Sequence, residues 1–260
     1  MPSTPRISVE LVPRDAATLT RELGVLSEHF PFIDTVNIPD LTRFSFRSLE
    51  ACKFSQTHVR RAIPHLRAVG TDLRNLDPLL HFLDTSELHE VLVVTGDAPA
   101  DMSQPSYPTS SLQLIRALKA ALPHVTVYAA LDPYRNSLLR ERDYAFQKLE
   151  AGADGLFTQP FFDTRLMRVY FELLPNVTLF WGATTITSKR SLGYWQNRNH
   201  AVFPAHFEPT LAWSRAFARE ALAFAQETGT NLYFMPIKAD TRAYLEGILT
   251  PDVRRSGVAV

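Results

Sequence analysis

Cysteine occurs once in these 260 residues, as Cys52. A lone thiol cannot form an intramolecular disulfide or a thiolate metal cluster within one chain, which fits a reducing compartment. Glycine is sparse, with ten residues. None of them falls in G-x-G-x-x-G or G-x-x-x-x-G-K-[ST], so a dinucleotide fingerprint and a Walker loop are both missing. No G-x-S-x-G marks a hydrolase nucleophile. The eight histidines show neither H-x-H nor H-E-x-x-H spacing, so no metal is expected. An excess of one charge is lacking too. Lys+Arg and Asp+Glu stand at 27 each, which removes the electrostatic reason to expect nucleic acid or an anionic membrane as a partner. Nowhere do about 18 consecutive apolar residues occur to span a bilayer, and the opening MPSTPRISVELVPRD has no signal-like apolar run. The expectation is a cytoplasmic protein with small-molecule partners.

What is present reads as an ordinary folded chain. Apolar residues make up 45% and charged residues 21%, enough for a large core and too balanced for disorder or a collagen-like repeat. Short apolar runs alternate with helical patterns from end to end, in eight units. Strands are predicted near residues 7–12, 32–38, 65–69, 90–95, 125–130, 155–159, 178–183 and 231–237. Helix signals follow them. Asp15 precedes a stripe of Leu19, Leu23 and Leu26, Asp77-Pro78 supplies a cap and a first-turn proline, and Ser110 precedes Leu112, Ile115 and Leu118. Gly152 and Gly229 stand where left-handed caps belong. Eight strand-helix repeats without a composition shift or a Gly/Ser-rich linker predict one α/β domain, a single closed (β/α)8 TIM barrel over residues 1–250. Residues 251–260 read as a short C-terminal tail, frayed from Arg254. Two stretches, 40–48 and 188–209, are expected as long loops forming substrate walls.

In such a barrel the carboxyl ends of the strands carry the chemistry. Along strand one, Ile7, Val9 and Leu11 alternate with Ser8 and Glu10, and period two sends the apolar set toward the helices and Glu10 inside. An isolated buried glutamate is more often an ion-pair partner than a catalyst. Its company argues for function: Asp97 ends strand four, Asp132 ends strand five, Gln159 lies on strand six and Lys238 ends strand eight. Each has a structural alternative, since Asp97 and Asp132 can cap helices, as Asp163 does, and Lys238 can be a solvated charge. A carboxylate inside an apolar barrel has its pKa raised by desolvation, which suits a general acid near neutral pH. Tyr194 and Trp195 fall in the polar stretch after strand seven, where a flat heterocycle to stack against is expected. Trp181, inside that strand, divides evenly between core filler and site.

Four segments resemble one family, the barrel of methylenetetrahydrofolate reductase. They are S-V-E-L-V-P on strand one, I-P-H-L-R-A-V-G on strand three, T-G-D in place of the family's R-G-D on strand four, and EAGADGLFTQPFFD at residues 150–163. The last is the most specific, and NLYFMPIKADTRAYL extends the similarity to strand eight.

The resemblance implies an oxidoreductase of one-carbon metabolism, a step toward methionine, that reduces methylenetetrahydrofolate to methyltetrahydrofolate with NAD(P)H. It makes Glu10 the acid that opens the folate ring, Gln159 the amide that binds the pterin, and Asp97 the rim carboxylate beside it. Trp195, with Tyr194, becomes the aromatic cover and Lys238 the cation near the folate tail. Lys148 matches a lysine that contacts flavin phosphate, and Asp132 and Arg135 occupy the cofactor-side loop. Two departures bear on the cofactor. Thr95 stands where the family has a phosphate-binding arginine, and A-A-L-D-P-Y-R after strand five lacks the tyrosine and histidine that help hold FAD. These losses resemble the flavin-independent branch, so NADH is expected to deliver hydride directly and FAD to be absent. Two alternatives stay open: the same reaction through bound FAD with Arg135 in place of the missing groups, and a catalytically silent folate-binding barrel that regulates a partner. NADH against NADPH, and a homo-oligomer against a monomer, are likewise open.

Overall fold

A computed structural model describes residues 4–97 and 105–249. Eight parallel strands close into a barrel in chain order: β1 (Ile7–Glu10), β2 (Thr35–Ile38), β3 (Arg61–Arg67), β4 (Glu90–Val94), β5 (Thr126–Leu131), β6 (Gly155–Pro160), β7 (Leu179–Thr184) and β8 (Asn231–Met235). Strand β8 closes on β1, with Ser8 opposite Tyr233. Around them lie α1 (Ala16–His29), α2 (Ser48–Ser55), α3 (Asp77–Thr85), α4 (Ser111–Ala121), α5 (Leu138–Glu150), α6 (Thr164–Leu173), α7 (Lys189–Arg198), α8 (Leu211–Thr228) and α9 (Thr241–Glu246). The fold is the single (β/α)8 barrel that the sequence predicts. The predicted tail at 251–260 lies outside the described residues.

Period two divides β3 to β8 between two cores, and gives β1 and β2 an apolar outward face only. Val9, Val36, Val91, Val127 and Leu156 face outward and pack with Leu19, Leu23, Leu118 and Phe217 of the helices; each such side chain contributes about 1.5–3 kcal/mol when fully buried. Ile63, Leu92, Tyr128, Phe157, Phe180 and Tyr233 face inward and fill the barrel, with Phe157 stacked on Phe180 at 4.2 Å. Charge stops the amino end below them. The Arg6 guanidinium meets Glu90 at 2.8 Å, Thr35 Oγ1 at 3.0 Å and the Tyr128 hydroxyl at 3.2 Å, and Arg61 reaches Glu90 at 3.2 Å.

The helix starts follow from their caps. Asp15 accepts from the Thr18 N–H at 2.7 Å, Ser110 and Gln113 form a reciprocal capping box, and Gly229 takes φ +67° at the end of α8. Three expectations need correction. Strand β3 begins at Arg61, four residues before the predicted start, and runs through Pro64. That proline has no N–H for the ladder, and the His65 N–H turns to Ser48 Oγ at 3.0 Å. Asp77 is the first residue of α3 and Leu76 holds the cap position without a side-chain bond. The expected loop at 188–209 contains α7, capped by Ser188 at the Ser191 N–H.

Candidate active site

The inward face of β1 and β2 carries polar groups where β3 and β4 carry Ile63 and Leu92 and β5 to β8 carry rings. Ser8 Oγ donates to Asn37 Oδ1 at 2.7 Å, and Asn37 Nδ2 lies 3.1 Å from both Glu10 Oε2 and His65 Nε2. All four residues are buried, Glu10 at 8% exposure. Glu10 has no cationic partner among the described residues. Burial pushes its pKa up to about 7 against the lowering effect of the Asn37 bond, and burial pulls His65 down to about 3. Between about pH 3 and 7 the site therefore holds a neutral carboxylic acid and a neutral imidazole on one amide.

Above this layer the carboxyl face opens into a cavity of about 760 Å³. His65, Val94, Ala130 and Gln159 lie at the strand ends, residues 39–43 after β2 form one part of the wall, and Tyr194, Arg198, Asn199 and His200 at the end of α7 form another. Cations outnumber free anions there. Asp40 is held bidentately by Arg47 at 2.7 and 2.6 Å, whereas Arg43, Arg67, Arg135 and Arg198 make no ion pair among the described residues. Two of these arginines converge on the tail of β4. Arg67 donates to the Asp97 carbonyl and Arg135 lies 3.5 Å from Thr95 Oγ1. Between them Gly96 has φ +77°, and a Cβ there would sit 2.9 Å from Arg67 Nε, so only glycine leaves room for the guanidinium.

Lys148 lines the same cavity with its ammonium already engaged. It donates to the Ala130 carbonyl at 2.6 Å, lies 4.0 Å from Glu141 Oε1 and 3.9 Å from the centre of the Tyr144 ring. Burial lowers its pKa to about 8. Glu141 also accepts from the Asp132 N–H at 3.2 Å and Asn136 Nδ2 at 3.1 Å, which ties the start of α5 to the end of β5. The Asp132 carboxylate accepts from the Tyr134 N–H and caps a turn; burial raises its pKa.

The structure thus brings Gln159, Asp97, Tyr194, Asp132, Arg135 and Lys148 to one cavity; Glu10 is not in the cavity wall and is joined to it through the Asn37 amide, which also meets His65. Two further expected members stand apart. Trp195 is 5% exposed on α7 and packs edge-on against Phe162 at 5.8 Å, in a cluster with Ile186 and Ala201. Its predecessor Tyr194, 57% exposed, is the ring at the cavity. Lys238 is exposed with φ +55°, past the end of β8, and is not part of the cavity wall. Trp181 is core: it faces the helices, and its Nε1 donates to Thr230 Oγ1 at 2.8 Å. Sequence reasoning passed over Asn37, His65 and Arg67. The signal for Asn37 was available, since a polar residue inside the V-N-I run of β2 has the alternation that placed Glu10.

Fold and cavity together define a (β/α)8 barrel with an open cavity at its carboxyl face. Residues 32–214 match the family model of methylenetetrahydrofolate reductase, and the chain belongs to that family. Among solved structures, a protein from Clostridium thermocellum described as binding two copies of 5-methyl-5,6,7,8-tetrahydrofolic acid is similar over 95% of this chain and 94% of its own, with TM-score 0.65 and 13% identity. A 2,3-dimethylmalate lyase of the PEP mutase/isocitrate lyase superfamily is similar over 99% and 85%, with TM-score 0.60 and 13% identity. An oxaloacetate acetylhydrolase is similar over 95% and 84%, with TM-score 0.57 and 10% identity. At these identities the likeness is one of fold. No curated protein sequence matches the chain. Among the described residues no helix is long and apolar enough to cross a membrane, and no group of three or more His, Cys, Asp or Glu could hold a metal ion.

Proposed function

We propose that this barrel reduces methylenetetrahydrofolate to methyltetrahydrofolate, with the proton supplied by Glu10 and the hydride taken directly from NADH. The observation that carries the reading is Glu10 itself: a carboxylic acid inside the barrel, held by a neutral amide, neutral up to about pH 7. Proton transfer from Glu10 to the bridging nitrogen opens the five-membered ring of the folate and leaves an iminium, and hydride from the nicotinamide reduces that carbon to the methyl group. In this reading Gln159 binds the pterin and Tyr194 covers it, which their positions in the cavity wall support. The unpaired Arg67 and Arg135 suit the diphosphate of a dinucleotide, because guanidinium groups bind phosphate oxygens bidentately. Folate binding by the Clostridium thermocellum protein supports the ligand class.

FAD, the resident group of much of the family, would supply a hydride carrier between nicotinamide and folate. The residues present fit it poorly. Lys148 has its ammonium committed to Ala130 and Glu141, Leu131 at the end of β5 is buried among the helices, and Thr95 replaces the phosphate-binding arginine. One observation favours the rival reading: Arg67 and Arg135 restore positive charge beside Thr95. The visible spectrum of the purified protein, followed by NADH oxidation with methylenetetrahydrofolate, separates the two. A colourless protein that turns over is expected, and stoichiometric FAD required for turnover would overturn the direct route.

A further inference from the structure

We infer that Asn37 is a positioning residue that fixes where the protons of the site reside, on Oε1 of Glu10 and on Nδ1 of His65. The amide of Asn37 offers one acceptor and two N–H donors. Its Oδ1 takes the Ser8 hydroxyl at 2.7 Å, which leaves Nδ2 facing Glu10 Oε2 and His65 Nε2, each at 3.1 Å. Both N–H groups then donate. Nε2 of His65 must be the bare nitrogen, and Nδ1–H is the donor left for a ligand, since His65 contributes to the cavity wall and that N–H has no partner among the described residues. Oε2 of Glu10 likewise accepts, so the transferable proton sits on Oε1.

The reverse orientation, with Oδ1 toward Glu10 and His65, works only while Glu10 is protonated. Once the acid has delivered its proton, that orientation would set a carbonyl oxygen against a buried carboxylate. The orientation anchored by Ser8 accommodates both forms that an acid passes through in each turnover, and it favours the ionised one. The groups facing this unit are few. Tyr233 reaches in from β8 with its hydroxyl given to the Thr158 carbonyl, Asp40 acts on His65 from the loop after β2, and among the described residues no charged group acts on Glu10.

The catalytic half of this inference rests on the proposed role of Glu10, and the tautomer half does not. NMR of the full chain labelled with ¹⁵N-histidine, with His65→Gln to assign the signal, reads the tautomer directly. A neutral His65 protonated at Nδ1 is expected, and a proton on Nε2 in the wild-type protein would overturn the inference. Asn37→Leu should release the tautomer and move the alkaline limb of the pH–rate profile upward by about one unit, because the bond that favoured the carboxylate is gone. If Asn37 merely filled space, the variant would lose activity equally at every pH with the limb unmoved, and that result would also overturn it. Ser8→Ala, which leaves the amide unanchored at little cost in packing, should move both readouts the same way by less. Loss of the acid reading itself would show separately, as normal turnover in Glu10→Gln with the histidine tautomer unchanged.

Discussion

Glu10 and His65 share the amide of one asparagine and are displaced in opposite directions along the pH scale. Burial raises the acid from 4.5 to about 7 and lowers the imidazole from 6.5 to about 3. Both shifts favour the neutral form, so an apolar barrel tolerates two titratable groups side by side without a counterion.

Their contributions to stability oppose each other. Glu10, raised in the folded state, stabilises the protein fully below pH 4.5 and loses that contribution as pH rises through 7. His65, lowered in the folded state, contributes fully above pH 6.5 and loses its part as pH falls toward 3. Each effect is on the order of 3 kcal/mol or more before relaxation. Glu10→Gln should therefore gain stability as pH rises from 3 to 6.5, and His65→Gln should lose it from 4.5 to 7, relative to a flatter wild-type curve. Parallel slopes in the two variants, measured by denaturant unfolding across pH, would contradict the assignment.

Glu10→Gln keeps the shape of the side chain and removes its proton. Turnover should fall by roughly 10²–10⁴-fold with the fold intact, and wild-type kcat should decline above about pH 7 as the acid ionises. Steady-state kinetics and a melting curve on the one variant check both halves. A near-normal kcat would reduce Glu10 to a structural group.

Tyr194 and Trp195 adjoin in sequence and should part company in assay. Tyr194→Ala removes an exposed ring at the cavity and should raise the folate KM with little change in melting temperature. Trp195→Ala empties a buried site against Phe162 and should cost about 3–5 kcal/mol of stability. The reverse pattern would return the stacking role to Trp195.

Arg67→Gln and Arg135→Gln test the charge at the tail of β4. Each should raise the KM for NADH several-fold and weaken its dependence on salt, because one cation is withdrawn from a dinucleotide diphosphate. A larger effect on folate than on NADH, with polyglutamylated folate most affected, would assign the pair to the glutamate tail.

The barrel was legible in the sequence because its strands alternate cleanly and its helices carry caps at the right spacing. Glu10 was legible for the same reason, as the one acid on the inward side of β1. The wall built by α7 was not. KRSLGYWQNR offers Leu192 and Trp195 as its only apolar pair at helical spacing, with Gly193 between them, so local pattern could not distinguish a helix that buries one ring from a loop that displays two. The alternation of β2 showed Asn37 on the inward side, but not what it joins, because a hydrogen-bonded unit spread over three strands has no spacing in sequence; His65 escaped notice for that reason, and Arg67 because its target is a backbone carbonyl in the segment after the neighbouring strand.

The floor formed by Tyr128, Phe157, Phe180 and the Arg6–Glu90 pair makes the barrel a blind shaft. Two reactants that share a single mouth cannot come and go independently, since the inner one is trapped until the outer has left. In the proposed reaction, with the folate against Glu10, the folate would be the inner one: it would enter first and depart last, and oxidised nicotinamide would escape before the methylated product. Product inhibition would display this order, with methyltetrahydrofolate competing against methylenetetrahydrofolate and not against NADH.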